Sequence, residues 1–282
     1  MANAQHGLLK FVKDTMDAGV VKTFLDASTM VNILPMKPNQ GSMTYIYNSV
    51  DSMLGAEVRD LGEDVTGETL APVQHVEMMK IFSNEVLIDR LYVEGGLGNL
   101  VDIKTENTIN ATTGLVNEFA RQVYYGDGTT KQLKGLEARV AEGQGVKFTT
   151  FNLDTVDEMI DEINYSNNGV KCLLMNAKTR RALTKLVKEA GYCLGSLELA
   201  GRQLEVYNNT AIVVDAQVKD SEVFAVNFSE IDGVHGVTLN GVHHYEEELR
   251  GSTVAMGIDF TTGLVVKHPK AVAHLKVAGR SK

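Results

Sequence analysis

A chain of 282 residues, 44% hydrophobic and 22% charged, has the composition of one large globular domain or two modest ones, which excludes disorder throughout. Its 27 basic and 36 acidic residues give a net charge of −9 with no visible Lys/Arg cluster, which argues against a protein that grips nucleic-acid phosphates. Near DNA, such a chain encloses rather than binds.

The start, MANAQHGLLKFVKD, lacks a basic n-region, and charges interrupt its short apolar stretch, so no signal peptide is read. Residues 8–27 place Leu8, Phe11, Val12, Met16, Val20, Val21 and Phe24 at helical spacing, with Gly19 weakening the middle. One imperfect or broken helix is expected, in an arm lying on a protein neighbour. SMTYIYNSV then alternates as a strand, and HVEMMKIF, from His75, reads as a second. Between them lies DSMLGAEVRDLGEDVTGETLAPVQ, acid-rich, broken by Gly55, Gly62, Gly67 and Pro72, and too poor in apolar residues to form its own core. Val58, Leu61 and Val65 are the side chains available to anchor it on a neighbouring subunit, with Arg59 available to pair with a neighbour's carboxylate.

NLVDIKTENTINATTGLVNEFARQVYYG reads as a long helix starting at Leu100, with Asn99 as cap, or nearer Thr105. From Leu100 to Tyr124 it would span about 37 Å, the length of a strut. Gly126 fits as its left-handed stop, and Asp127-Gly128 makes a turn, so these three residues form a hinge. The same glycines fail as a phosphate loop, because they follow a helix and neither Lys131 nor Lys134 has the Gly-Lys-Ser/Thr neighbours.

From about residue 150 the elements shorten. Asp154 is expected to cap TVDEMIDEIN, VKCLLMN to be a buried strand, and Asn176 to cap AKTRRALTKLVKEAG. Strands follow at QLEVY, TAIVVDA, EVFAVNF, VHHYEEEL, STVAMGIDF, GLVVKH and AVAHLKV. HHYEEEL invites a metal reading. However, His243, Tyr245 and Glu247 point to one face of a strand and His244, Glu246 and Glu248 to the other, so ligands would not converge. Cys172 and Cys193 sit in no metal-ligand spacing and read as reduced thiols of a protein folded in the cytoplasm. Cys172, inside an apolar strand, is a small buried hydrophobe. There is no GxSxG nucleophile elbow and no run of about eighteen apolar residues that could span a membrane. No catalytic residue, cofactor site or metal site is expected.

Taken in order, these segments resemble the major capsid proteins of tailed bacteriophages, whose Hong Kong 97-type fold is shared with encapsulins. An arm and a long-looped hairpin come first. YYGDGTTKQLKGLE is similar to the family's Gly-Asp-Gly…Gly-Leu turn after its spine helix. LLMNAKTRRALTKLVKEAGY looks like the strand–cap–helix of its axial domain, although Ala177 stands where members often have Pro. LEVYNNTAIVVDA and VFAVNFSE resemble the strands after it, and GIDFTTGLVVKHPKAVAHLKV resembles the closing strands. The resemblance implies an α+β capsid fold: N-terminal arm over 1–40, extended-loop hairpin over 41–82, peripheral domain with spine helix over 83–149, axial domain over 150–242, and closing strands of the peripheral domain over 243–282. It implies a structural protein forming pentamers and hexamers of an icosahedral head around double-stranded DNA. Its partners would be a scaffolding protein, a portal and a decoration protein, with no sequence-specific DNA contact. An encapsulin-like compartment is the nearest alternative. A cytoplasmic α/β enzyme or binding module built on 150–242 is the more distant one.

Overall fold

The computed structural model describes residues 8, 15–39, 41–49, 58–64, 73–89, 100–248 and 251–277. The arm gives α1 (Thr15–Ala27), with Gly19 inside it, and a separate short α2 (Thr29–Ile33). Ser28 divides them in extended backbone and accepts from the Val31 amide, so the break falls at a cap and not at the glycine. After β1 (Met36–Pro38), β2 (Thr44–Ser49) pairs antiparallel with β3 (Val73–Met78) as a separate two-stranded ribbon. The run read as one strand from His75 splits at Met79, whose amide donates to the Met43 carbonyl at 2.8 Å. Beyond it, β4 (Lys80–Asp89) enters the main sheet.

The long helix α3 (Leu100–Tyr125) presents Leu115, Val116, Phe119, Ala120, Val123 and Tyr124 as a buried stripe. Its expected cap, Asn99, lies outside the described residues. Phe119 meets Phe260 and Phe82 edge-on, with ring centroids 5.3 and 5.6 Å apart, and Phe24 of α1 closes on Phe260 at 4.9 Å. This aromatic knot fastens arm and strut to the sheet. Next come α4 (Leu136–Ala141), β5 (Val146–Phe148), α5 (Leu153–Ile163), β6 (Val170–Met175) and α6 (Ala177–Glu189). The α5 cap is Asn152, not Asp154: Asn152 is extended and its Oδ1 accepts from Thr155 N at 2.7 Å, while Asp154 already lies in the first turn. Asn176 caps α6 as expected, accepting from Thr179 N at 2.8 Å.

The remaining strands are β7 (Gly195–Leu199), β8 (Arg202–Tyr207), β9 (Thr210–Val214), β10 (Glu222–Phe228), β11 (Val234–Glu248), β12 (Thr253–Val266) and β13 (Val272–Lys276). STVAMGIDF and GLVVKH are thus one strand: Thr261-Thr262-Gly263 stays in the ladder because β11 and β4 hydrogen-bond β12 on both sides. The sheet runs β4-β12-β11-β10-β6-β9-β8-β7, with β1 joined to β11 and β13 between β10 and β5. Strand alternation sorts its side chains into two cores. Cys172, Leu174, Val213, Phe224 and Val226 pack on the side of α1 and α3; Leu173, Met175, Ile212, Val223 and Ala225 pack under α5 and α6. The sheet is therefore the middle of three layers, with α1 and α3 on one side and α5 and α6 on the other. Among the described residues no helix is long and apolar enough to cross a membrane.

Candidate assembly surfaces

The turn after α3 is tightly built. Gly126 donates to the Gln122 carbonyl and accepts from the Gly135 amide, both at 2.9 Å, while Gln122 Oε1 receives the Leu133 amide at 3.0 Å. Gly126 is not left-handed, contrary to the expectation of a left-handed stop; the positive φ, +75°, belongs to Gly128. The requirement at Gly126 is space: a Cβ there would lie 2.1 Å from the Leu133 carbonyl oxygen. The Asp127 backbone forms an isolated antiparallel β-bridge with Lys134, and its Oδ1 takes the Thr129 amide at 2.9 Å, which holds its carboxyl below the usual range.

This turn delivers α4 and with it Arg139, whose guanidinium is fully buried, an anomaly without a signature in the sequence. Nε donates to the Lys134 carbonyl at 3.1 Å, Nη2 to Leu264 O at 2.7 Å, and Nη1 to Gln144 Oε1 at 3.2 Å and to Glu77 Oε1 at 2.8 Å. Glu77 is on β3. One cation therefore links strut turn, main sheet and hairpin. Tyr45, Tyr47, Met79, Val237, Leu239 and Val265 form a small core under the same ribbon, where burial raises the Tyr47 hydroxyl pKa. His235, also fully buried, meets the Tyr45 ring edge-on at 6.3 Å. Burial, followed by the charges of Lys267 and Lys37, pushes its pKa down to about 4.

The opposite face of the ribbon is left open. Ile46 and Val76 face each other in register, Met78 lies beside them, and all three are exposed. Of the residues expected to anchor the loop, Val58 and Leu61 are 101% and 107% exposed. Arg59 donates to the Glu63 carbonyl at 2.9 Å, closing the tip on itself. Val65 lies outside the described residues.

The helices over the second core were not expected to carry concentrated charge, and here the absence of a Lys/Arg cluster needs correcting. Helix α6 gathers Lys178, Arg180, Arg181, Lys185 and Lys188, and neighbouring α5 carries Asp154, Asp157, Glu158, Asp161 and Glu162 without a single cation. Composition hid this because the two helices cancel in the total. No group of three or more His, Cys, Asp or Glu side chains converges among the described residues, and HHYEEEL lies along β11. Cys172 is buried, and its thiol pKa is pushed up to about 12 by that burial, while Cys193 is exposed.

A spine helix, a separate long-looped ribbon and a three-layer lobe on one continuous sheet define a shell-subunit architecture, the Hong Kong 97-type capsid fold. The chain belongs to the phage capsid family, whose model matches residues 11–277. Its structure is similar to the capsid of an empty GTA particle (16% identity, TM-score 0.66, 90% of each chain covered). It is also similar to the SrpI encapsulin complex of Synechococcus elongatus PCC 7942 (14%, 0.64, 90% of each). The capsid of cyanophage P-SCSP1u matches at 10% identity and TM-score 0.61, over 89% of this chain and 88% of that one. No curated protein matches the chain.

Proposed function

We propose that this chain is the major capsid protein of a tailed phage, self-assembling into pentamers and hexamers of an icosahedral head around double-stranded DNA. The observation that carries the reading is the hairpin: an apolar outer face and a loop tip with bare Val58 and Leu61, attached to an otherwise well-packed subunit. A monomer gains nothing from such a projection, whereas a neighbour can cover it. A scaffolding protein, a portal and a decoration protein are the partners this role implies, with the virion as its location and the host cytoplasm as its place of assembly. The role requires no catalysis. Residues 83–149 and most of 243–282 would form the peripheral domain and 150–242 the axial one, with β13 joining the axial sheet through β10.

The similarity to the SrpI encapsulin complex favours a second reading, a compartment enclosing protein cargo. Purified protein, alone and with the scaffolding protein supplied, should give megadalton shells by sedimentation and electron microscopy. Shells filled with DNA in infected cells support the phage head, and shells holding a protein cargo support the compartment. A monomer or dimer at every concentration, scaffold included, overturns both and returns the reading to a binding module or enzyme on residues 150–242.

A further inference from the structure

His235 stands at the foot of the hairpin, fully buried, and neither Nδ1 nor Nε2 has a hydrogen-bond partner. Strand alternation puts it on the same face of β11 as Val237, and its partner across the ladder is Val265. Its ring therefore lies on the patch of sheet that the ribbon covers. Tyr45 of β2 meets the imidazole edge-on, and its hydroxyl accepts from Lys37 Nζ at 3.2 Å. Tyr47 and His75 continue the row of rings, with centroids 6.2 and 5.2 Å apart in turn, and His75 bonds Ser49 Oγ at 2.9 Å. The charged groups on the elements around His235 oppose a cation there. Lys37 of β1 and Lys267, just beyond β12, repel one. The carboxylates are engaged elsewhere: Glu77 of β3 with Arg139 of α4 at 2.8 Å, and Asp232 with the Ser166, Asn168 and Ser229 side chains. Glu230 is exposed, and its carbonyl is taken by Lys267. The Gly233 and Ser229 backbones favour a proton on the ring, but less than burial and the two lysines disfavour it.

We infer that His235 is a proton-operated release for the hairpin: the docked ribbon demands a neutral ring, and protonation detaches β2 and β3 from the sheet while the rest of the subunit stays folded. A docked ribbon keeps the ring dry and unpartnered, whereas lifting Tyr45 gives both nitrogens water. Burial, and then the two lysines, push the pKa of the docked ring from 6.5 down to about 4. Acid below pH 6.5 therefore favours the lifted state, about tenfold per unit, until the docked ring titrates as well. The factor is about 20 between pH 7 and pH 5, with a limit of about 300 well below pH 4. Release stays local because little else holds the hairpin: the small core around Tyr47, the Arg139–Glu77 pair, and the bonds from Asn39 and Lys37. The main sheet keeps a larger core on each of its faces. What the release controls is the direction in which the bare tip, with Val58 and Leu61, is presented. It belongs to the single subunit and needs no shell to operate.

The test is amide exchange of the full chain, followed peptide by peptide from pH 7 to pH 5, with each rate divided by its intrinsic rate at that pH. A ribbon of two six-residue strands is marginal by itself, so its amides exchange once it lifts. In the wild type, Thr44–Ser49 and Val73–Met78 should exchange faster than the core strand β10 at every pH. Their opening should rise about 20-fold over the range. In His235→Leu and His235→Met, which replace the ring with side chains that do not titrate, the rise should vanish. Ribbon opening that is flat in the wild type overturns the inference. Ribbon exchange equal to that of β10 throughout overturns it too, because the hairpin then leaves only when the subunit unfolds. A rise that persists in either folded variant overturns the role of His235 and moves the switch to Glu77 or His75. The comparison of ribbon with β10 lies within the wild type and decides the matter whether or not the variants fold.

Discussion

Gly126 and Gly128 stand two residues apart and are required for different physical reasons. At Gly126 any side chain strikes the Leu133 carbonyl, so even Gly126→Ala should destabilise by about 3 kcal/mol, the upper part of the range for overpacking. Gly128→Ala has only its positive φ to strain, where the nearest contact, Lys134 Cβ at 3.3 Å, can give slightly; about 1 kcal/mol is expected. Denaturant melts of the two variants should therefore rank in that order, and the reverse order would mean the helix does end in a left-handed residue at 126. The sequence announced a turn here through Gly, Asp and Gly but could not say which glycine served which purpose, since close approach of Leu133 is a tertiary fact. His235 supplies a second residue-scale prediction. Its pKa is depressed to about 4 in the fold, so the unfolded chain binds a proton first as pH falls below about 6.5. Stability is then fully present above that pH and lost progressively down to about pH 4, by up to about 3 kcal/mol. The stability difference between wild type and His235→Leu, followed against pH, should shrink from the wild type's side over that window. A difference that is flat between pH 6.5 and 4 would show that His235 does not titrate as a buried neutral ring.

Among the elements, the hairpin is the one whose position depends on few contacts. Its two strands form a ladder only with each other, so its direction relative to the sheet rests on the small core around Tyr47, on the Arg139–Glu77 ion pair and on the bonds that Asn39 and Lys37 donate to the Thr44 carbonyl and the Tyr45 hydroxyl. Glu77→Ala leaves a buried guanidinium without its counter-charge and should cost about 3 kcal/mol, the low end for such a loss because Glu77 keeps some contact with water. Arg139→Leu combined with Glu77→Leu should recover most of that stability, since a buried ion pair is seldom stabler than apolar residues of similar volume. The double variant should still show faster amide exchange over Val73–Met78, because stability returns but the link to the Lys134 and Leu264 carbonyls does not. Exchange as slow as in the wild type would make the small core, not Arg139, the support of the hairpin. Most elements were legible because their periodicity is local: the stripe of α3, the cap at Asn176 and the alternation of β2 all declare themselves within a few residues. The failures have two causes. Asn152 displaced Asp154 as a cap in a choice between two locally acceptable residues, settled by its bond to the Thr155 amide. Thr261-Thr262-Gly263 stayed in a strand because partners far along the chain hold it there, and Arg139 was illegible for the same reason, since Glu77 and Leu264 lie far from it in sequence while Lys134 and Gln144 lie five residues to either side.

At the scale of the whole molecule, the question is whether the projection belongs to the fold or to the assembly. The described tip, residues 58–64, is held by its own contacts, with the Asp60 amide donating to Glu63 Oε2 at 3.0 Å and the Arg59 guanidinium to the Glu63 carbonyl. It carries three acids and one base and buries nothing apolar in its own subunit. The strands below it remain paired up to Ser49 and Val73, so they need only a short connection to persist. Replacing residues 53–71 with a Gly-Ser turn should therefore leave the subunit folded, and even favour it by less than about 1 kcal/mol through the shorter closing loop. Shells should disappear if Val58 and Leu61, the side chains we propose insert into a neighbour, go with the loop. The same logic orders proteolysis: the loop should be the first cut in a free subunit and resist in a shell, where a neighbour lies over it. Two measurements on one variant decide the matter, thermal unfolding of the subunit and particle counts by electron microscopy. A variant that unfolds would place the loop within the subunit's own core. A variant that assembles as the wild type does would move the covering contact to the open face of the ribbon, where Ile46, Val76 and Met78 remain.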